Sequence, residues 1–259
     1  MKDIETLYGN RRAFAVYNPN DNQRQVKVNF SDLDLGGTVA LRDAYAREDI
    51  GTFFNEYEVT VPAHGTRIFV AEGEQRLERT HYEAETAYIS DYQELKNNQT
   101  ERTGIYEAAS FCSAGFKAGW LGYSEENDLQ WRNVYSKEGG QYTLDIAYIS
   151  GENRNITVSV NGTEQQTVNV NSGGWQTVGK KRITIQLQKG NNTIRLSNAT
   201  SWMPDIDYIQ LTPMSSTIKD MDYQSSSPQS LIYDLQGREV HSSSQSAGIY
   251  IQDGKKRIK

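Results

Sequence analysis

The sequence has one cysteine, Cys112, and three scattered histidines, His64, His81 and His241. A single thiol excludes an internal disulfide and leaves the redox compartment open. The histidines have neither metal-ligand spacing nor a nucleophile beside them, which removes zinc and Ser-His chemistry. Positive charge is in deficit: 27 Lys and Arg against 33 Asp and Glu give a net −6 at pH 7. That is the wrong sign for nucleic-acid phosphate or anionic lipid. No apolar run reaches the length of a membrane span, and Met1-Lys2-Asp3-Ile4 lacks the apolar core of a signal peptide. The protein is then either cytoplasmic or a mature or truncated piece of something longer, and the second is expected because the chain enters a strand almost at once. No glycine-rich phosphate loop opens a helix, because hardly any helix is there to open.

What is present is alternation with period two. Val26, Val28 and Phe30 share a face, as do Val59 and Val61. Tyr142, Leu144, Ile146 and Tyr148 repeat the pattern, followed by Ile156, Val158 and Val160, then Ile183, Ile185 and Leu187. Turn signals such as Asn18-Pro19-Asn20-Asp21, Gly139-Gly140, Asn161-Gly162 and Gly190-Asn191-Asn192 fall between them. The rhythm predicts an all-β chain of two antiparallel β-sandwiches with a small C-terminal β segment. Ala40 to Ile50 and Thr80 to Leu95 have helical propensity, but strand is the preferred reading for both. Composition shifts divide the chain into residues 1–74, 80–213 and 214–259, the last containing the linker Ser225-Ser226-Ser227-Pro228.

Acidic residues flank the middle unit: Tyr82-Glu83-Ala84-Glu85 opens it and Asp205-Ile206-Asp207-Tyr208-Ile209 closes it. On an extended strand Glu83 and Glu85 leave the same face. A neighbouring strand carrying Asp207 then brings three carboxylates together, and hard oxygen donors suit calcium. On a helix the two glutamates would point roughly 200° apart and the site would vanish. Solvated carboxylates on strand ends are the alternative.

Sugars stack their C–H faces on exposed rings while polar groups fix the hydroxyls. Trp131 lies in an alternating strand and reads as core. Trp175 follows Gly173-Gly174 in a loop, Trp202 sits in Ser201-Trp202-Met203-Pro204, and Trp120 and Tyr123 flank a glycine-rich strand edge. For each of these four, sugar contact and local packing stand as alternatives. Arg154, ahead of the Ile156 strand, meets either a ligand or an exposed carboxylate. His64 before Gly65 reads as a turn residue and Cys112 as a small buried hydrophobe.

Leu41-Arg42-Asp43, Asp49-Ile50-Gly51, Tyr57 and Val61-Pro62-Ala63-His64-Gly65 resemble the C-terminal β-sandwich of glycoside hydrolase family 27, the α-galactosidase-type enzymes. The resemblance implies an accessory domain that follows a catalytic barrel. Such a barrel needs about 250 residues of alternating strand and helix, and this chain does not read that way. The Lys-Tyr-Asp string that carries the nucleophile in that family is missing, and Tyr233-Asp234 falls in the tail.

The middle unit carries, in order, Tyr82-Glu83-Ala84-Glu85, Trp131-Arg132-Asn133-Val134, Gly140-Gln141-Tyr142, Val160-Asn161-Gly162, Gly173-Gly174-Trp175, Lys189-Gly190-Asn191-Asn192-Thr193-Ile194 and Ile206-Asp207-Tyr208-Ile209. These resemble carbohydrate-binding modules of families 6 and 35, jelly-roll β-sandwiches with a structural calcium. The resemblance implies calcium ligation by Glu83, Glu85 and Asp207 and a sugar site at one end of the sandwich. Trp120, Tyr123, Arg154, Trp175, Trp202 and Asp205 are its candidates. Asp205 stands where many relatives place an asparagine that hydrogen-bonds the ligand.

The tail, Leu231-Ile232-Tyr233-Asp234-Leu235-Gln236-Gly237-Arg238 with Gly248-Ile249-Tyr250-Ile251, resembles the end of a type IX secretion sorting domain of exported Bacteroidetes proteins. That implies a bacterial extracellular, cell-surface or periplasmic location. The reading that joins these units is non-catalytic binding of plant or host polysaccharide, galactose-containing by analogy, with oligomeric state left open. Two rivals remain: a glycosidase acting through a pair such as Asp43 and Asp49, and a scaffolding module whose sugar site has decayed.

Overall fold

The computed structural model describes residues 2–4, 9–90, 103–214, 232–233, 249–252 and 255–258. Every long element among them is a strand, interrupted by three single 3-10 turns at Phe30–Leu33, Ala84–Thr86 and Ser113–Gly115. No helix there is long and apolar enough to cross a membrane.

The first sandwich sets a five-stranded antiparallel sheet against the pair Arg24–Asn29 and Glu56–Val61. The order of the larger sheet is Lys2–Ile4, Arg11–Tyr17, Thr66–Arg76, Leu35–Asp43 and Glu48–Phe54. Alternation decides which side is buried: Phe69 and Ala71 point inward while Ile68 between the sheet's outer residues stays exposed. Phe14 stacks on Phe69 at 5.3 Å between ring centres, and Tyr57 meets Phe69 edge-on at 5.9 Å. Ala40 to Ile50, read as strand, is a hairpin: Leu35–Asp43 pairs with Glu48–Phe54. Asp43 turns the chain between them by accepting the Tyr45 and Ala46 amides at 2.9 and 2.8 Å.

The second sandwich has its own core, which shares no residue with the first. One sheet runs Ile105–Ala108, Phe116–Gly119, Asp205–Pro213, Gly140–Ser150, Gly174–Leu187, with His81–Glu83 also pairing to Asp205–Pro213. The other runs Thr163–Val170, Arg154–Val160, Gly190–Ser197, Leu129–Ser136, Tyr88–Ile89. Leu144, Ile146, Ile156, Val158, Ile194, Leu196, Ile206 and Ile209 fill the space between them with no exposed area. Together they form the β-sandwich of a jelly-roll module.

The segment joining the sandwiches is pinned on both sides. Arg79 grips Asp34 of the first sandwich through both carboxylate oxygens, Nε to Oδ1 at 3.0 Å. Arg76 donates to Asn191 Oδ1 at 2.6 Å and lies 4.4 Å from the Tyr135 ring centre in the second. Residues 1–214 form one compact unit and 215–259 another. In the latter, Ile232–Tyr233, Ile249–Gln252 and Lys255–Ile258 make a three-stranded antiparallel sheet. The serine-rich linker and most of the sorting-like motif lie outside the described residues.

One strand reading is corrected. From Thr80 onward the strand stops at Glu83, a 3-10 turn covers Ala84–Thr86, and pairing resumes only at Tyr88–Ile89. The Ala87 amide bonds Ala84 O at 3.1 Å and the Thr86 hydroxyl bonds Glu83 O at 2.7 Å, closing the turn. Ala84 is fully buried, so the turn is fixed by packing that local propensity does not report. Glu83 and Glu85 therefore do not share a strand face.

Candidate functional site

Two constellations each take one acid from the strand Asp205–Pro213, Asp207 in the first and Asp205 in the second. The first is an acidic clasp. Glu83 lies opposite Tyr208 in the ladder, one residue beyond Asp207. Ser113 joins the two acids: its amide donates to Asp207 Oδ1 at 2.8 Å and its hydroxyl to Glu83 Oε1 at 2.7 Å. His81 Nε2 also contacts Glu83 Oε1 at 2.9 Å. Trp131, buried as its strand position predicted, donates its indole N–H to Glu83 O at 3.1 Å.

Burial pushes the Asp207 carboxyl up to about 6, and the charges of Glu83 and Glu85 add to that against the opposing Ser113 amide. Asp207 and Glu85 also act on Cys112, whose thiol is raised to about 11, chiefly by burial and then by Asp207. Glu83 Oε2 and Glu85 Oε2 are both buried without a hydrogen-bond partner. Two orphaned carboxylate oxygens beside a third buried acid are an unsatisfied donor set for a cation. Among the described residues, no three His, Cys, Asp or Glu side chains already stand at cage spacing. The residues still suit calcium by chemistry: all three carry hard carboxylate oxygens, and Glu83 and Glu85 each keep one oxygen without a hydrogen bond.

The second constellation collects all six candidate sugar residues. Trp202 receives Trp120 edge-on at 5.7 Å and Tyr123 edge-on at 4.8 Å. Trp120 and Tyr123 both have φ of 58°, a left-handed backbone that bulky side chains rarely adopt. Gly122 between them bridges Trp202, and a Cβ there would stand 2.4 Å from Ser201 O. Next along the chain, Met203 O accepts from Arg154 Nη1 at 2.8 Å. The Arg154 guanidinium covers the Trp175 ring at 4.6 Å and is also paired to Glu152. A Cβ at Gly151 would come within 2.6 Å of Trp175 Nε1, so only glycine lets the indole lie there. Tyr123 and Trp175 remain 59% and 47% exposed, as rings that meet a ligand must.

Asp205 is buried and bound to Lys117, whose amino group also reaches Glu107 Oε2 at 3.3 Å. Burial works against the Lys117 ammonium, but the two carboxylates outweigh it and raise its pKa. Glu107 Oε1 in turn accepts the Trp120 indole N–H at 3.2 Å. Glu107, Lys117 and Ser113 were not among the sequence candidates. Glu107 and Lys117 are directly opposite in the Ile105–Gly119 hairpin, a cross-strand charge pair visible in the sequence only once the register is known.

The two acids of the rival reading each have another partner. Asp43 caps its own turn, and Asp49 is paired with Arg42 at 2.6 Å. His64, at φ 52° and bonded to Asp21, is the turn residue expected. Cys112 is buried, also as read.

Comparison with known proteins places names on these units. Residues 4–71 match the family model of the alpha galactosidase C-terminal beta sandwich domain, and residues 112–213 match that of carbohydrate binding module family 6. The chain thus joins an α-galactosidase-type accessory sandwich to a carbohydrate-binding module, both non-catalytic kinds of domain. A search of curated proteins finds no match. Among solved structures, a family 35 carbohydrate binding module from Clostridium thermocellum is 29% identical, with a TM-score of 0.46, over 51% of this chain and 98% of that one. The CBM35 from Paenibacillus barcinonensis is 23% identical, with a TM-score of 0.45, over 52% and 100%. An exo-beta-1,3-galactanase from Phanerochaete chrysosporium is 26% identical, with a TM-score of 0.42, over 53% of this chain but 30% of that one.

Proposed function

We propose that the second sandwich binds carbohydrate without cleaving it, through Trp120, Tyr123, Arg154, Trp175, Trp202 and Asp205. The observation that carries this is their convergence into one contact-linked cluster within a segment that matches a carbohydrate-binding family model. The exposed rings offer faces for sugar C–H groups, and the Asp205 and Glu107 carboxylates accept from hydroxyls. A shallow, solvated site buries little area, so single-site affinity is weak and the benefit is local concentration near a substrate. Galactose-containing polysaccharide is the first ligand to test, because the preceding sandwich is of the alpha galactosidase type. The chain then serves as a targeting piece of an exported, bacterial, α-galactosidase-like glycan-degrading protein.

Glu83, Glu85 and Asp207 would hold a structural calcium ion, which supplies the positive charge these acids lack. The orphaned oxygens of both glutamates support this assignment. Ser113 fixes Asp207 and Glu83, and the ladder to Tyr208 fixes the backbone of Glu83. Affinity electrophoresis in galactan gels with calcium tests the reading. Retarded migration that disappears in Trp202→Ala supports it. Unretarded migration, together with turnover of aryl α-galactosides by the purified chain, would replace it with the enzyme reading.

A further inference from the structure

The polar wall beside the aromatic cluster is built around one lysine. Lys117 Nζ contacts Asp205 Oδ2 and lies 3.3 Å from Glu107 Oε2, with its side chain only 15% exposed. Glu107 then holds the Trp120 indole N–H, and Trp120 packs edge-on against Trp202. One cation is thus shared by two carboxylates that back the aromatic wall. Gly119 admits this: a Cβ there would stand 3.0 Å from Glu107 Oε2 and 3.1 Å from Asp205 Oδ1.

The other cation of the cluster is no freer. All three Arg154 side-chain nitrogens already donate, Nε and Nη2 to Glu152 Oε1 at 2.8 and 2.6 Å and Nη1 to Met203 O at 2.8 Å. Its face is occupied by Trp175. Glu107, Asp205 and Glu152 against Lys117 and Arg154 leave one negative charge in excess. Three of the five guanidinium N–H groups are thus taken, two of them by the Glu152 carboxylate, and the excess negative charge beside Arg154 repels a ligand carboxylate. Sugar hydroxyls meet the opposite situation, since carboxylate oxygens accept from them.

From this balance we infer that the site selects uncharged sugars against uronic acids, with Glu107 and Asp205 as the residues that set the selection and Lys117 as the residue that positions them. The inference rests on the carbohydrate-binding reading above and narrows its ligand to neutral glycans.

The test compares wild type, Glu107→Gln and Asp205→Asn by affinity electrophoresis in neutral galactan and in polygalacturonate, at low and high salt. Both substitutions keep side-chain shape and remove one negative charge, and thermal melting checks that each variant is folded. Wild type is expected to be retarded by galactan and to run freely in polygalacturonate. Each variant is expected to gain about tenfold in polygalacturonate affinity at low salt, fading as salt screens the charge. Equal retardation of wild type in both polymers, or variants whose preference does not move, overturns the selectivity while leaving sugar binding intact. Retardation by neither polymer, in wild type and folded variants alike, overturns the carbohydrate-binding reading and the selectivity with it.

Discussion

Ser113 presents its backbone amide to the buried Asp207 carboxylate at 2.8 Å, and from the same residue a hydroxyl reaches Glu83. A turn that precedes the strand Phe116–Gly119 thereby ties the opening of the second sandwich to its closing strand. Ser113→Ala removes the hydroxyl bond and leaves the amide. The expected loss is about 1 kcal/mol, read by denaturant unfolding. An unchanged midpoint would mean that Ser113 does not brace Glu83.

The clasp also fixes a pH dependence. Asp207 titrates near 6 in the folded chain, raised by burial and by Glu83 and Glu85. A carboxyl raised above its unfolded value contributes stability that is fully present below about 4 and is lost as pH climbs through the folded value. In chelator, wild type should therefore lose more melting temperature than Asp207→Asn between about pH 4 and 7. Parallel curves for the two proteins would contradict the shift.

Ring exposure separates binding from packing. Tyr123→Ala removes a ring that is 59% exposed. Stability should change by only about 0.5 kcal/mol, while glycan affinity falls about tenfold. Trp131→Ala, at 3% exposure, should instead cost about 3–5 kcal/mol of stability. Calorimetric unfolding and glycan titration of the two variants distinguish the roles.

Arg79 and Asp34 form one of the ties at the joint between the sandwiches, beside the contacts of Arg76 with Asn191 and Tyr135. Arg79→Ala leaves a largely buried carboxylate without its fork, at a cost of about 1–3 kcal/mol. Scanning calorimetry should then resolve two unfolding transitions where wild type shows one. A single unshifted transition would mean that the pair does not couple the sandwiches.

Much of this was legible in the sequence, for identifiable reasons. Period-two alternation at Leu144, Ile146, Ile156 and Val158 marks strands because those side chains pack on one face, and each is fully buried. The turn at Ala84 was not legible: its cause is burial of Ala84 under distant strands, so the same-face argument for Glu83 and Glu85 failed. Trp120, Tyr123, Trp175 and Trp202 could be singled out as aromatics near turns, yet nothing local says that three of them meet, and Trp175, read as a loop residue, lies in the strand Gly174–Leu187. Lys117 and Glu107 escaped notice because their pairing depends on hairpin register.

The most direct test is a glycan array probed with the purified chain in calcium buffer. The account predicts retention on neutral, galactose-containing glycans and loss of that signal in Trp202→Ala. A folded, calcium-supplied chain that is retained by no glycan above background would contradict it.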